Sequence, residues 1–94
     1  TKHRLNAVHV AAVGTLNSTT VHPREVFKVA ILANAAAVIV AHNHPSGDPT
    51  PSREDIELTE RLAAAGKVVG IEVLDHLIIG GDRMVSLRSE GAFL

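Results

Sequence analysis

Residues 37–57 read AVIVAHNHPSGDPTPSREDIE, an apolar run followed by two histidines, a proline-rich loop and a helix start. The run Ala37–Ala41 has the length and composition of a strand buried on both faces. The loop Asn43–Pro51 contains three prolines and a glycine, which exclude a helix there. A helix is predicted from Ser52 to Ala65, with Gly66 as its left-handed stop. Its predicted buried side chains are those of Ile56, Leu58, Leu62 and Ala65.

Strands and helices alternate on both sides of this unit. Upstream, Ala7–Val13 predicts a strand, and Pro23 suits the first position of a helix that ends near Asn34. Downstream we predict three strands, the last two as a hairpin: Val68–Leu74, Leu77–Ile79 and Met84–Leu87. The order β-α-β-α-β-β-β predicts an α/β (α+β) domain in which helices pack against a mixed sheet.

The composition limits the possible partners and locations. The 94 residues, 46% of them hydrophobic, predict one globular domain. With a net charge of -1 and only Phe27 and Phe93 as aromatic residues, the chain is not expected to bind nucleic acid through this domain.

The longest apolar run, Ala35–Ala41, is far shorter than a membrane span. The absence of cysteine is compatible with a reducing cytoplasm, which is the predicted location. Because the chain starts at Thr1 without a methionine, we expect it to be part of a longer protein.

Four side chains of the stretch could meet at one point. On an extended backbone His42 and His44 project to the same side, just beyond a buried strand. Ser52 and Asp55 share one face of the helix start and can meet the histidines if the stiff loop folds back. Two imidazoles and one carboxylate leave the fourth position of a tetrahedral zinc ion open for water, which is typical of catalytic zinc. Magnesium and calcium prefer oxygen ligands.

Simpler explanations exist for each feature taken alone. Ser52 and Asp55 form a capping-box pattern, which by itself could account for both residues. A surface His-x-His pair also arises by chance. The letters His42-Asn43-His44 do not indicate a nuclease, because the residues of the HNH motif are separated along the chain. A zinc deaminase would require His-x-Glu and Pro-Cys-x-x-Cys, and neither occurs.

The same residues resemble a known family. His42-x-His44-Pro45, six further residues and Ser52-x-x-Asp55 match the JAMM metalloprotease signature. The longer segments PREVFKVAILANAAAVIVAHNHPSGDPTPSREDIELTERL and LDHLIIGG are similar to the RadC branch of that family. The resemblance implies a JAMM/MPN domain over residues 1–94, with the three-layer, cytidine-deaminase-like architecture. It also implies that a further strand and an N-terminal helical domain precede Thr1. Without that strand the sheet would have an unpaired edge, at which a homo-oligomer could form.

The resemblance also implies roles for individual residues. His42, His44 and Asp55 would hold one Zn²⁺ per chain, and Glu25 would be the general base and then the general acid. Ser52 would donate a hydrogen bond to the oxyanion during hydrolysis of an amide or isopeptide bond in a peptide or protein. Glu25 is also suited to a structural role, since a carboxylate in the first turn of a helix is stabilised by the helix dipole.

Two questions stay open at this level. The chain could instead be a metal-binding scaffold with little or no peptidase activity, associated with DNA repair only by its family name. Asp75 and His76 could form hydrogen bonds that orient the metal ligands, or they could form a hydrogen-bonding pair at a strand end. The second role is the expected one.

Overall fold

Two helices and four strands make up the part of the chain that the structure describes. A computed structural model describes residues 8–13, as backbone only, and residues 21–91 with side chains. The elements in chain order are β1 (Val8–Val13), α1 (Pro23–Leu32), β2 (Ala37–Asn43), α2 (Arg53–Val69), β3 (Glu72–Gly80) and β4 (Arg83–Ser86). The sheet order is β1-β2-β3-β4, with β1, β2 and β3 parallel and β4 antiparallel to β3. The predicted mixed sheet with helices against it is confirmed.

Both helices pack on the same face of the sheet. Helix α1 connects β1 to β2, and α2 connects β2 to β3, so both connections move across the sheet in the same direction. Because such connections are almost always right-handed, both helices lie on the same face of the sheet. The buried side chains of α1, β2 and α2 accordingly form a single core, which includes Val26, Phe27, Ala30, Val38, Val40, Leu58 and Leu62. The described residues thus form two layers, and the third layer implied by the family resemblance stays a prediction.

The second helix is longer than predicted. It passes through Gly66 and runs to Val69, so the predicted stop at Gly66 is wrong. The left-handed residue is Gly70, with a φ of 78°. Gly66 has a packing role instead, because a Cβ atom there would lie 2.3 Å from the carbonyl oxygen of Ile71. The amide N–H groups of Gly70 and Ile71 both donate to the Gly66 carbonyl and close the helix end.

The third strand joins two segments that were predicted as separate strands. Residues 68–69 belong to α2, and β3 then runs without a break from Glu72 to Gly80. One strand fewer than predicted therefore follows α2 among the described residues. The hairpin around Gly80-Gly81-Asp82 is confirmed, with β4 as its second strand. Ile56, predicted to be buried, is 39% exposed, whereas Leu58 and Leu62 are buried as predicted.

Some sequence predictions concern residues outside the described part. The start of the first predicted strand, at Ala7, is one of them. The backbone of β1 confirms the remainder of the first strand, without its side chains. Neither of the described helices is long and apolar enough to cross a membrane.

Candidate metal centre

The two histidines lie at the carboxyl end of β2, as the alternation of side chains along a strand predicts. His42 is within the strand, and the amide N–H of His44 donates to the Ile79 carbonyl at 2.8 Å, which continues the pairing with β3. His42 is buried and His44 is half-buried. Because one residue separates them on extended backbone, both side chains project to the same side. They face the start of α2.

The start of α2 presents Asp55 to the histidines by means of a capping box. Ser52 is the N-cap residue, and its hydroxyl oxygen accepts the Asp55 amide N–H at 3.1 Å. The Asp55 carboxylate accepts the Ser52 amide N–H in return, at 2.7 Å. Asp55 has no exposed surface, and its negative charge is stabilised by the positive end of the helix dipole. The capping box is therefore real, and it aims the carboxylate inward.

His42, His44 and Asp55 converge. The Asp55 Oδ1 atom lies 3.1 Å from His42 Nε2, and Asp55 Oδ2 lies 2.9 Å from His44 Nε2. Among the described residues these three form a group of potential metal ligands, with one atom of each within 4.8 Å of the others. The convergence predicted from the sequence is confirmed, and the role of these residues as ligands stays a prediction.

The loop between the strand and the helix holds the His44 ring in place. The Nδ1–H group of His44 donates to the Asp48 carbonyl at 2.8 Å, so that in the neutral ring Nε2 carries the lone pair. The loop turns at Gly47, whose φ is 86°. It packs directly on Gly80 of β3, where a Cβ atom would lie 2.5 Å from the Pro49 nitrogen. Backbone contact at this glycine therefore fixes the carbonyl that orients His44.

The His42 ring is held from behind by two residues of the core. Its Nδ1 atom lies 2.9 Å from His76 Nε2, and His76 Nδ1 lies 2.7 Å from the hydroxyl oxygen of Thr59. Both His76 and Thr59 are fully buried. Burial lowers the pKa of His42, the Asp55 carboxylate opposes this shift, and His44 adds to it. Burial, and then the nearby His42, lower the pKa of His76 to about 4.

Glu25 does not belong to this group of potential ligands. It lies exposed in the first turn of α1, where its Oε1 atom accepts the His22 amide N–H at 3.5 Å. His22 is exposed and caps α1, because its Nδ1 atom accepts the Arg24 amide N–H at 3.0 Å. The predicted structural role of Glu25 at the helix start is thus present, and its catalytic role stays a prediction.

Sequence reasoning missed Thr59 and Gly80, and it placed the pair Asp75–His76 at a strand end. The pair Asp75–His76 lies inside β3 and not at a strand end. Asp75 does make backbone hydrogen bonds, accepting the amide N–H groups of His76 and Arg88. The expected hydrogen bond between the two residues is therefore present, and the His76 ring additionally contacts the candidate ligand His42. The signal available in the sequence was the position of His76 within the family-like segment LDHLIIGG.

The chain is similar to known proteins over nearly its whole length. A family model described as RadC-like JAB domain matches residues 1–92. A UPF0758 protein from Desulforudis audaxviator is 62% identical over 93 residues, which are 99% of this chain and 40% of the relative. UPF0758 proteins from Desulforamulus reducens and Methanosarcina acetivorans are 60% and 57% identical over 91 residues, 97% of this chain and 40% of each relative. The chain thus spans about two-fifths of the length of the relatives it matches.

Proposed function

The chain belongs to the family of RadC-like JAB domains, and from that premise we propose that it is a zinc-dependent hydrolase that cleaves an amide or isopeptide bond. The family and the His-His-Asp group support a metal-dependent, hydrolase-like domain. The identity of the metal, the bond cleaved and the roles of single residues are our proposal. His42, His44 and Asp55 would be the ligands, Glu25 the general base and acid, and Ser52 the oxyanion donor.

The observation that carries the proposal is that the His42 Nε2 atom is buried without a hydrogen bond. It lies 3.1 Å from the Asp55 carboxylate. A buried polar atom without a partner is costly, typically by about 1–3 kcal/mol. The His44 Nε2 lone pair is directed at the same carboxylate. Two nitrogen lone pairs and a carboxylate that face one another repel, and a cation bound between them would remove that repulsion, so this donor set fits a bound metal.

Zinc fits this set better than the alternatives. Two imidazoles disfavour magnesium and calcium, and a structural zinc would take four protein ligands. When bound, zinc supplies a water with a pKa near 7 and polarises the substrate carbonyl. Three protein ligands suit a catalytic ion because one position stays open.

The topology supports the proposed role of Glu25. The short connection 33–36 joins the end of α1 to the amino end of β2, so α1 begins toward the carboxyl end of the sheet. Glu25 lies in that first turn, and His42, His44 and the start of α2 lie at the same sheet edge. Ligands of parallel sheets are commonly bound outside this edge. From there a carboxylate that is not itself a ligand can take a proton from water and pass it to the leaving amine.

Ser52 can combine its capping role with catalysis. The hydroxyl oxygen accepts the Asp55 amide N–H, which leaves the O–H proton available for a second bond. The residue is half-buried, and its backbone N–H is bonded to the carboxylate of the candidate ligand Asp55. We therefore propose that its hydroxyl stabilises the negative charge that develops on the substrate oxygen.

Substitutions of Ser52 separate the two roles. Ser52→Ala should lower the free energy of unfolding by about 1 kcal/mol, and Ser52→Gly by only a few tenths. Both should lower kcat by roughly 10²–10³-fold, since each removes the proposed donor. Ser52→Thr retains a hydroxyl and should keep most of the stability and activity. Chemical unfolding and kcat on the same preparations are the measurements, and a near-normal kcat in Ser52→Gly would restrict Ser52 to the cap.

Removal and return of the metal test the proposed function. The zinc-loaded chain is incubated with a peptide library that includes isopeptide-linked branched peptides, and the cleavage products are identified by mass spectrometry. We expect cleavage that stops after chelation and returns with one equivalent of zinc. Zinc binding without cleavage of any member would favour the scaffold alternative, and failure to bind zinc would contradict the proposal at its base.

Three further proposals concern the longer protein and its setting. We propose that the chain is one domain of a longer protein with an N-terminal helical domain, in accord with its 40% coverage of relatives. A peptide or protein substrate and the possible homo-oligomer remain proposals of the same kind. The cytoplasmic location and the lack of nucleic-acid binding through this domain also stay predictions.

A further inference from the structure

We propose that His76 is a positioning residue that, together with Thr59, holds His42 in the tautomer whose Nε2 lone pair faces Asp55. The three side chains form a buried chain of hydrogen bonds behind the candidate metal centre: His42 Nδ1 to His76 Nε2 at 2.9 Å, and His76 Nδ1 to Thr59 Oγ1 at 2.7 Å. Thr59 completes it by donating to the backbone carbonyl of Asp55 at 2.8 Å. The chain thus runs from one candidate ligand to the backbone of another.

The direction of these bonds follows from the carbonyl at the far end. A carbonyl only accepts, so the single proton of the Thr59 hydroxyl is used in the bond to Asp55. The Thr59 oxygen must then accept from the Nδ1–H group of His76, and His76 Nε2 is left with a lone pair. That lone pair accepts the Nδ1–H proton of His42. His42 Nε2 consequently carries no proton and is available to bind a metal.

The opposite direction does not agree with the structure. If Thr59 donated to His76, its oxygen and the Asp55 carbonyl oxygen would lie 2.8 Å apart with no proton between them. His42 would then carry its proton on Nε2, which makes no hydrogen bond of acceptable geometry although Asp55 Oδ1 lies 3.1 Å away.

A β-bulge in β3 turns His76 toward His42. Val38 pairs with Val73, but Ile39 pairs with Asp75, so Leu74 is an extra residue in the strand. One extra residue in a strand moves every later side chain to the opposite face of the sheet. His76 therefore pairs with Val40 and lies on the same buried face of the sheet as His42.

Arg88 and Asp75 hold this bulge. The Arg88 guanidinium donates to the carbonyl oxygens of Val73 and Leu74, at the point where the register shifts. The Asp75 carboxylate accepts the amide N–H groups of His76 and Arg88, at 2.7 Å and 3.0 Å. These contacts tie the bulge to the residues after β4, so the orientation of His76 is built into the sheet.

The tautomers can be measured without metal and without substrate. Nitrogen-15 NMR of the histidine rings, recorded on the metal-free chain at pH 7.5, distinguishes Nδ1–H from Nε2–H. We expect both His42 and His76 as Nδ1–H tautomers. In Thr59→Val the acceptor for His76 is lost and a mixture of tautomers should appear, whereas Thr59→Ser should match wild type. A His42 ring protonated on Nε2 in the wild-type chain would overturn the inference.

Zinc affinity and the cobalt spectrum measure the consequence for binding. His76→Phe fills the space without an acceptor and should weaken zinc binding about 10–100-fold, the range seen for partners of metal ligands. It should also shift the visible absorption bands of the cobalt-substituted chain. His76→Gln, which can accept from His42 and donate to Thr59, should restore most of the affinity. Leu62→Ala, a buried change elsewhere on α2, is the control for lost stability alone.

The inference rests on the proposed metal site, but the two fail in different ways. A wild-type chain that binds no zinc contradicts the proposed function. A wild-type chain that binds zinc, with equal affinity in His76→Phe or with no recovery in His76→Gln, contradicts only the role of His76. Should His76→Phe fail to fold, the tautomer measurement on the wild-type chain and the Thr59 variants still decides.

Discussion

Glu25→Gln is expected to abolish most hydrolysis while the chain keeps its full complement of zinc. The substitution removes the carboxylate proposed to take a proton from water, and proton transfer of this kind typically contributes about 10²–10⁴-fold to the rate. Zinc should be retained because Glu25 lies outside the group formed by His42, His44 and Asp55. Glutamine is also an accepted residue at this position of a capping box, so α1 should start normally.

The matched control for this prediction is Glu57→Gln. Glu57 is an exposed glutamate on α2, and its contact with Arg53 joins two solvent-exposed side chains. This variant makes the same chemical change and should hydrolyse at the wild-type rate. The measurements are kcat on a cleaved library member and zinc content by mass spectrometry. A wild-type rate in Glu25→Gln would remove Glu25 from the mechanism, and loss of zinc would make it part of the metal site.

His44→Ala should lose zinc altogether under conditions in which the wild-type chain holds one ion. One of three ligands is removed, so the loss of affinity should exceed the roughly 10–100-fold that follows changes in outer partners. The fold should survive, because His44 is only half-buried and its ring contacts polar groups, the Asp48 carbonyl and the Asp55 carboxylate. Competition with a chromophoric chelator measures the affinity.

Asn43→Ala is the control for His44→Ala. Asn43 is the exposed spacer between the two candidate ligands, and its removal should leave zinc binding unchanged. Normal affinity in His44→Ala, or loss of zinc in Asn43→Ala, would contradict the proposed ligand set.

Local rules predicted most of the candidate centre. The shared direction of His42 and His44 follows from the two-residue period of a strand, and the position of Asp55 follows from the capping box at Ser52. Both depend on neighbours within a few residues, and neither requires knowledge of the fold. The parallel sheet then places the strand end and the helix start at the same edge.

Long-range packing decided the features that were mispredicted. Gly66 and Gly70 are both plausible helix stops, and the close approach of the Ile71 carbonyl to Gly66 is what distinguishes them. The bulge at Leu74 depends on Arg88, which lies fourteen residues along the chain and bonds to the Leu74 carbonyl. Without the bulge, alternation would place His76 on the opposite face from Val73, away from His42.

Zinc-edge anomalous diffraction from crystals of the zinc-loaded chain tests the central claim most directly. We predict one anomalous peak per chain, located between His42 Nε2, His44 Nε2 and the Asp55 carboxylate. A zinc-loaded crystal without a peak at that position, or with zinc bound only by other residues, would contradict the claim.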